Sequence, residues 1–256
     1  MSLDFLSAVP EATGGEPGGA PIARSPMEPN ARAAGARFEI RHGWNVTINY
    51  GRTPAASEAE GAAARRACGW ADVSHLTKLE LQGPVRELAD LVRDCAEGAE
   101  PELGSAARGL NAWWCPLTPN RVLVVGEPGA VAPLPARLTE SGPDVRIVDV
   151  TTTLAALTLV GPLAREVFAR FSALDLRPQS TPVGGVRPGS IARQPGIVIC
   201  EAEERYLLMF GWATGEYVWS VVADAGHHLG GRAIGLEMLG ELDGPGTGLV
   251  TEVSRA

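Results

Sequence analysis

The residues best suited to chemistry fall in a few short stretches. Ser74-His75 sets a hydroxyl beside an imidazole, as a nucleophile and its base would need, but adjacent residues of a strand point to opposite faces, which keeps the two apart. His227-His228 offers two metal-ligating rings. Neighbouring residues rarely aim at one ion and no second cluster of His, Cys or carboxylates accompanies them, so exposed imidazoles at a helix end are expected, and no metal. Gly126-Glu127-Pro128-Gly129 is glycine-rich, yet it lacks the Lys-Ser/Thr of a phosphate loop and the spacing of a dinucleotide fingerprint. Trp113-Trp114 could stack on a planar ligand, but one of two consecutive strand residues must face the core. None of these is a catalytic signature by itself.

The elements that must position them are legible as an internal repeat. Asp72-Val73-Ser74 leads to Leu79-Glu80-Leu81-Gln82-Gly83-Pro84-Val85-Arg86-Glu87, and Asp149-Val150-Thr151 leads to Leu157-Thr158-Leu159-Val160-Gly161-Pro162-Leu163-Ala164-Arg165-Glu166. The leucines alternate at period two, which places them on one face of a strand. Gly-Pro ends the strand, and the proline suits the first turn of a helix. Val85, Leu88, Leu91 and Val92, then Leu163, Val167, Phe168 and Phe171, continue at helical spacing. Apolar strand pairs flank turns at Thr118-Pro119-Asn120 and at the charged segment before Arg205, each followed by a helix (near 131–141 and 214–225) and a strand (near 144–150 and 231–239).

Each half thus reads β-α-β-β-α-β, the ferredoxin-like order. The fold class is α+β, two pseudo-symmetric halves over about 77–150 and 154–239, with Gly83 on Gly161 and Arg121 near Arg205. The organisation is a disordered tail over 1–30, a first half over 31–151 that opens with an entry strand and helix, a second half over 152–242 and a C-terminal tail over 243–256.

Composition narrows the function classes. The 22 Lys and Arg against 30 Asp and Glu leave a net charge of −8 over 256 residues, which disfavours a phosphate-backbone binder, so no nucleic-acid partner is expected. No apolar run approaches the roughly 20 residues that cross a bilayer, so no membrane association is expected. Cys68, Cys95, Cys115 and Cys200 are dispersed without a C-x-x-C, which fits reduced thiols in a cytoplasmic protein.

His42-Gly43-Trp44 through Tyr50-Gly51, the Glu60-to-Arg66 helix, and Cys68-Gly69-Trp70-Ala71-Asp72-Val73-Ser74-His75-Leu76 together resemble the opening of the glycine cleavage system T protein, an aminomethyltransferase. The Gly-Pro-x-Ala-Arg-Glu-Val around Gly161 and Gly230-Gly231-Arg232-Ala233-Ile234-Gly235 extend the resemblance over about 35–242. It implies the folate-binding domain of the aminomethyltransferase superfamily, which includes the γ-type subunit of heteromeric sarcosine oxidase, and with it tetrahydrofolate as cofactor and one-carbon metabolism as setting.

The positions it implies for folate contact are Asn111, Trp113, Arg193, Leu207 and Glu237. Three depart from the family pattern. Asn111 stands at the acidic position before the first hairpin, where an amide cannot supply a carboxylate. Leu207 stands for the pterin-binding glutamate of the second hairpin, and Gly235-Leu236-Glu237-Met238-Leu239 replaces the segment that supplies an arginine.

The expected function is therefore a catalytically degenerate folate-binding-domain protein, acting as partner subunit to a T-protein-like chain or a flavoprotein oxidase. The alternatives are an active tetrahydrofolate-dependent aminomethyl or methyl transferase, and a small-molecule binding module using the cleft between halves. If the family site survives in damaged form, Asn111 faces that cleft with Trp113 on the same strand face, and a charge introduced there would be buried and destabilising.

Overall fold

The computed structural model describes residues 21–51, 53–96, 102–136 and 144–242, a mixed α/β fold with three sheets. Residues 1–20 of the expected N-terminal tail, and the whole of the expected C-terminal tail over 243–256, lie outside the described residues. The chain enters through β1 (Ala23–Arg24), α1 (Glu28–Ala33), β2 (Ala36–Arg41), β3 (Trp44–Tyr50), α2 (Pro54–Arg66) and β4 (Gly69–Asp72).

The fold begins before residue 30, where a disordered tail is expected. Met27 is fully buried. The buried Glu28 carboxylate accepts from Asn45 Nδ2 at 3.0 Å and Arg32 Nε at 2.8 Å, which ties α1 to β3.

The second sheet comprises β5 (Thr77–Gln82), β6 (Ala107–Gly109), β7 (Ala112–Thr118), β8 (Arg121–Gly126) and β9 (Arg146–Asp149), with α3 (Val85–Cys95) after β5 and α4 (Pro128–Val131) after β8. Its order is β6-β7-β8-β5-β9, with antiparallel neighbours throughout. Of the helix expected near 131–141, α4 and helical residues 134–136 are described; residues 137–143 lie outside the described residues. Pro84 sits one residue before α3, in extended conformation, so it precedes the first turn instead of occupying it.

The third sheet takes β10 (Leu154–Val160), α5 (Ala164–Ala169), β11 (Val186–Ile191), β12 (Gln194–Ala202), β13 (Arg205–Gly211), α6 (Gly215–His227), β14 (Arg232–Ala233) and α7 (Leu236–Leu242). Its strand order is β11-β12-β13-β10-β4-β14. Strand β4, from the entry segment, lies between β10 and β14, antiparallel to the first and parallel to the second.

The closing strand expected near 231–239 is thus only Arg232–Ala233, and a helix follows. Leu236, Met238 and Leu239 all turn into the core. The buried Glu60 carboxylate, accepting from Tyr50 N at 2.6 Å and Gly235 N at 2.9 Å, pins the backbone where strand gives way to helix.

Three apolar clusters follow from these layers. Leu79 and Leu81 join Leu88 and Val92 of α3 on the outer face of the second sheet. Leu157 and Leu159 join Phe168 of α5 and Val218 and Val222 of α6 on the outer face of the third. Between the two sheets lie Trp113, Cys115, Leu123 and Val125 from one and Ala156, Ile199, Leu207 and Met209 from the other. The consecutive Trp113 and Trp114 divide as a strand's alternation requires, Trp113 into this middle cluster and Trp114 into the outer one.

Candidate functional site

The two larger sheets are joined at a seam. The segments entering β6 and β11 meet at Ser105 and Gly185, with Ala106 N donating to Gly184 O at 2.7 Å and Val186 N to Gly104 O at 2.8 Å. Beside this junction lies a polar cluster that the sequence patterns do not mark. Trp113 Nε1, from β7, donates to Glu201 Oε1 of β12 at 3.2 Å, and Arg205 Nε of β13 donates to Glu201 Oε2 at 3.1 Å. The Glu201 and Arg205 side chains are only 2% and 5% exposed.

The Arg108 guanidinium of β6 lies 4.8 Å from the centroid of the Trp113 ring. Burial lowers its pKa against the pull of Glu201. Burial chiefly, and Glu201 secondarily, push the neighbouring Cys115 thiol up, so it is not a thiolate near neutrality. Each Glu201 oxygen accepts one hydrogen bond, one from Trp113 of the facing sheet and one from Arg205 of its own, so this carboxylate joins the sheets. The sequence signal was an acid inside an apolar run, hidden because the segment before Arg205 reads as a charged turn; β12 instead runs through Glu201 to Ala202, with a register shift between Cys200 and Ala202.

The Asp72-to-Leu76 motif forms a second buried polar group. It is a turn, with Leu76 N donating to Val73 O at 3.0 Å. Ser74 Oγ accepts from Ala156 N at 3.1 Å, so the serine serves β10. Burial, with nearby Lys78, pushes the His75 imidazole down to about 3, leaving it neutral. The fully buried Lys78 donates through Nζ to Ser74 O and Leu76 O, each at 2.8 Å; burial lowers it to about 7 against the pull of Asp72 and Asp149. The motif builds a strand junction.

The residues expected to contact folate do not converge. Leu110 and Asn111, at φ 53° and 55°, are the two central residues of a tight turn between β6 and β7, flanked by the Gly109–Ala112 pair. This is the geometry of a type I′ hairpin. Asn111 is exposed there and does not share a strand face with Trp113, contrary to the expectation that both face the cleft. The reason is local: positive φ at both positions turns the chain back before the strand begins.

Arg193 occupies the same place in the next hairpin, with Ala192 and Arg193 at φ 49° and 63° between β11 and β12, and it too is exposed. Leu207 is fully buried in the middle cluster with Trp113 and Cys115. Glu237 is exposed at the start of α7 and accepts from Asn49 Nδ2 at 2.7 Å. His227 and His228 are exposed at the end of α6, the first packed edge-on against Trp70 with 5.1 Å between ring centroids.

Sequence reasoning also passed over Glu127. Residues 111 and 127 follow directly beyond the Ala112–Gly126 pair that ends the β7–β8 ladder. Oε1 of Glu127 is buried with no hydrogen-bond partner among the described residues, and burial pushes the carboxyl up to about 7 against the opposing pull of Arg41.

Residues 114–242 match the family model of the GCVT N-terminal domain. An aminomethyltransferase of Rubrobacter xylanophilus is 32% identical over 169 residues, which are 60% of this chain and 44% of that protein. One from Parafrankia sp. is 27% identical over 237 residues, 84% of this chain and 61% of that protein. The chain therefore spans about half to three fifths of the curated relatives it matches.

Among solved structures, the glycine cleavage system aminomethyltransferase T of Bartonella henselae superposes with a TM-score of 0.68 at 18% identity, over 85% of this chain and 60% of that one. A chain of the heterotetrameric sarcosine oxidase of Corynebacterium sp. U-96 superposes with a TM-score of 0.55 at 23% identity, over 71% of this chain and 97% of that one. Both share the fold, and the match across half of the sequence places this chain in the GCVT N-terminal-domain family, within the aminomethyltransferase-like folate-binding-domain superfamily.

Proposed function

We propose that the chain is a catalytically silent member of this family that serves as a partner subunit of a heteromeric enzyme of one-carbon metabolism. The observation that carries the reading is the position of Leu207, buried against Trp113 and Cys115 between the sheets. A pterin edge needs hydrogen-bond partners, and a site without them strands the ligand's own donors. Asn111 and Arg193 spend their positions on exposed hairpin turns, and each Glu201 oxygen already accepts one hydrogen bond. A tetrahydrofolate molecule finds little to bind among these residues.

The two large sheets are read here as pseudo-symmetric ferredoxin-like halves. The order β7-β8-β5-β9 supports this, as does β12-β13-β10 with β14 beyond the inserted β4. The partner role draws on the sarcosine oxidase chain, which this chain covers almost completely.

Titration of 5-formyltetrahydrofolate into the purified chain tests the silent reading, and weak or no binding is expected; saturation at low micromolar concentration would overturn it. Purification from the native host tests the partner role. A flavoprotein oxidase or a T-protein-like chain should accompany the protein.

One observation favours the active-transferase alternative. Glu127 brings a carboxyl that titrates near neutrality beside Asn111, where the resemblance lacks an acid. Folate-dependent formaldehyde release that disappears in Glu127→Gln would establish that alternative.

A further inference from the structure

We propose that a groove formed by α1, the Trp212–Thr214 turn and the first turns of α6 receives an arginine side chain presented by a partner polypeptide. The groove contains none of the seam residues. It is an open cavity of about 630 Å³ lined mainly by Pro26, Asn30, Trp212, Glu216, Tyr217 and Ser220.

Two acceptors there stand out, the Asn30 amide oxygen and the Glu216 carboxylate. Ser220 Oγ donates to Glu216 O at 2.9 Å and accepts from Asn30 Nδ2 at 3.3 Å. That bond fixes the Asn30 amide and leaves its Oδ1 with no donor among the described residues. The Glu216 carboxylate has no ion pair or side-chain hydrogen bond among the described residues either. A ligand that satisfies these groups must bring N–H donors and positive charge.

The apolar walls select the kind of cation. Tyr217 is 47% exposed, unusual for so large a ring. Trp212 is propped by Trp44 at 5.9 Å between ring centroids, and its turn is tied by Trp212 N to Thr153 O at 3.0 Å and Thr214 Oγ1 to Gly211 O at 2.8 Å. The aromatic surface is therefore standing before a ligand arrives. A guanidinium is flat, weakly hydrated and able to stack on rings while its N–H fork meets a carboxylate; an ammonium matches only the charge.

The groove is open to one side, as entry of a side chain requires, and the net charge of −8 draws basic partners to the chain.

The test titrates the full chain with N-acetyl-argininamide, followed by tryptophan fluorescence and by the NMR signals of Trp212 and Tyr217. Saturable binding at millimolar levels is expected, weakened by salt. Affinity should fall about tenfold or more in Glu216→Gln and in Tyr217→Ala, two exposed positions whose circular dichroism should match the parent. N-acetyl-citrullinamide, the neutral isostere, should not bind. No saturation, equal binding of the neutral analogue, or indifference to Glu216→Gln would overturn the proposal. Tighter binding of free arginine than of the blocked form would overturn the polypeptide source in favour of a free amino acid. No folate enters the experiment, so its failure is separate from any failure of the subunit reading.

Discussion

Trp113 and Glu201 join the two large sheets: the indole Nε1 of β7 donates across the seam to Oε1 of β12 at 3.2 Å, and the other carboxylate oxygen holds Arg205 at 3.1 Å. The contact is a direct hydrogen bond from one sheet to the other.

Glu201→Ala should therefore cost about 3–5 kcal/mol, because it removes the buried carboxylate that accepts from both the Arg205 guanidinium and the Trp113 indole N–H. Urea unfolding of this variant checks it, together with that of Glu201→Met, Arg205→Met and the double variant that combines the two methionines. The double variant should lose clearly less than the sum of the two single changes. A Glu201→Ala cost near zero would show that the seam does not depend on this contact.

Glu127 should make stability fall as pH rises. Its folded pKa of about 7 lies above the ordinary 4.5, so the native state binds the proton more tightly. Its contribution is complete below about pH 4.5 and is lost as pH climbs through about 7, by on the order of 3 kcal/mol. Glu127→Gln should match the parent at pH 4.5 and exceed it at pH 8. Denaturant midpoints of the pair across that range measure the difference, with the other titrating groups common to both.

The β6–β7 turn should improve when its residues suit its backbone. Leu110 holds φ 53° with neither the local side-chain bonding that helps Asn nor the missing Cβ that lets Gly adopt this region. Leu110→Asn with Asn111→Gly should raise stability by about 0.5–1 kcal/mol. Asn111→Asp, exposed on that turn, should change stability by less than about 0.5 kcal/mol and yield no folate-dependent formaldehyde release. The destabilisation expected for a buried charge does not apply to an exposed position.

The two Gly-Pro copies should not be equivalent. A Cβ on Gly161, at φ 119°, would lie 2.3 Å from Ala64 O and 2.8 Å from Ala67 O. On Gly83 the nearest atoms are Asp144 O and Val145 Cγ2, both at 3.0 Å. Gly161→Ala should thus cost several-fold more than Gly83→Ala, the first in the range of severe backbone strain, on the order of 3 kcal/mol or more. Thermal unfolding of the two variants side by side decides it.

Short-range patterns alone determined much of this protein. Period-two leucines before Gly-Pro, helical stripes after it and the turn at Thr118-Pro119-Asn120 specify strands, helices and a hairpin that the structure contains, because each depends on residues a few positions apart. The order of motifs was likewise enough to indicate the family.

Tertiary structure alone decided what the candidate residues do. A surviving family site puts Asn111 on a strand facing the cleft, but two positive φ angles, invisible to hydrophobic period, place it on an exposed turn. The 231–239 segment reads as a strand, but Glu60, over 170 residues away in sequence, holds Gly235 N and the chain turns helical. Glu201 reads as part of the charged turn before Arg205, but β12 runs on through it and Trp113 of β7, far off in sequence, donates to its buried carboxylate. Charge and polarity are penalised or rewarded by surroundings drawn from distant sequence, so a residue's burial, partner and pKa exist only once the chain has folded.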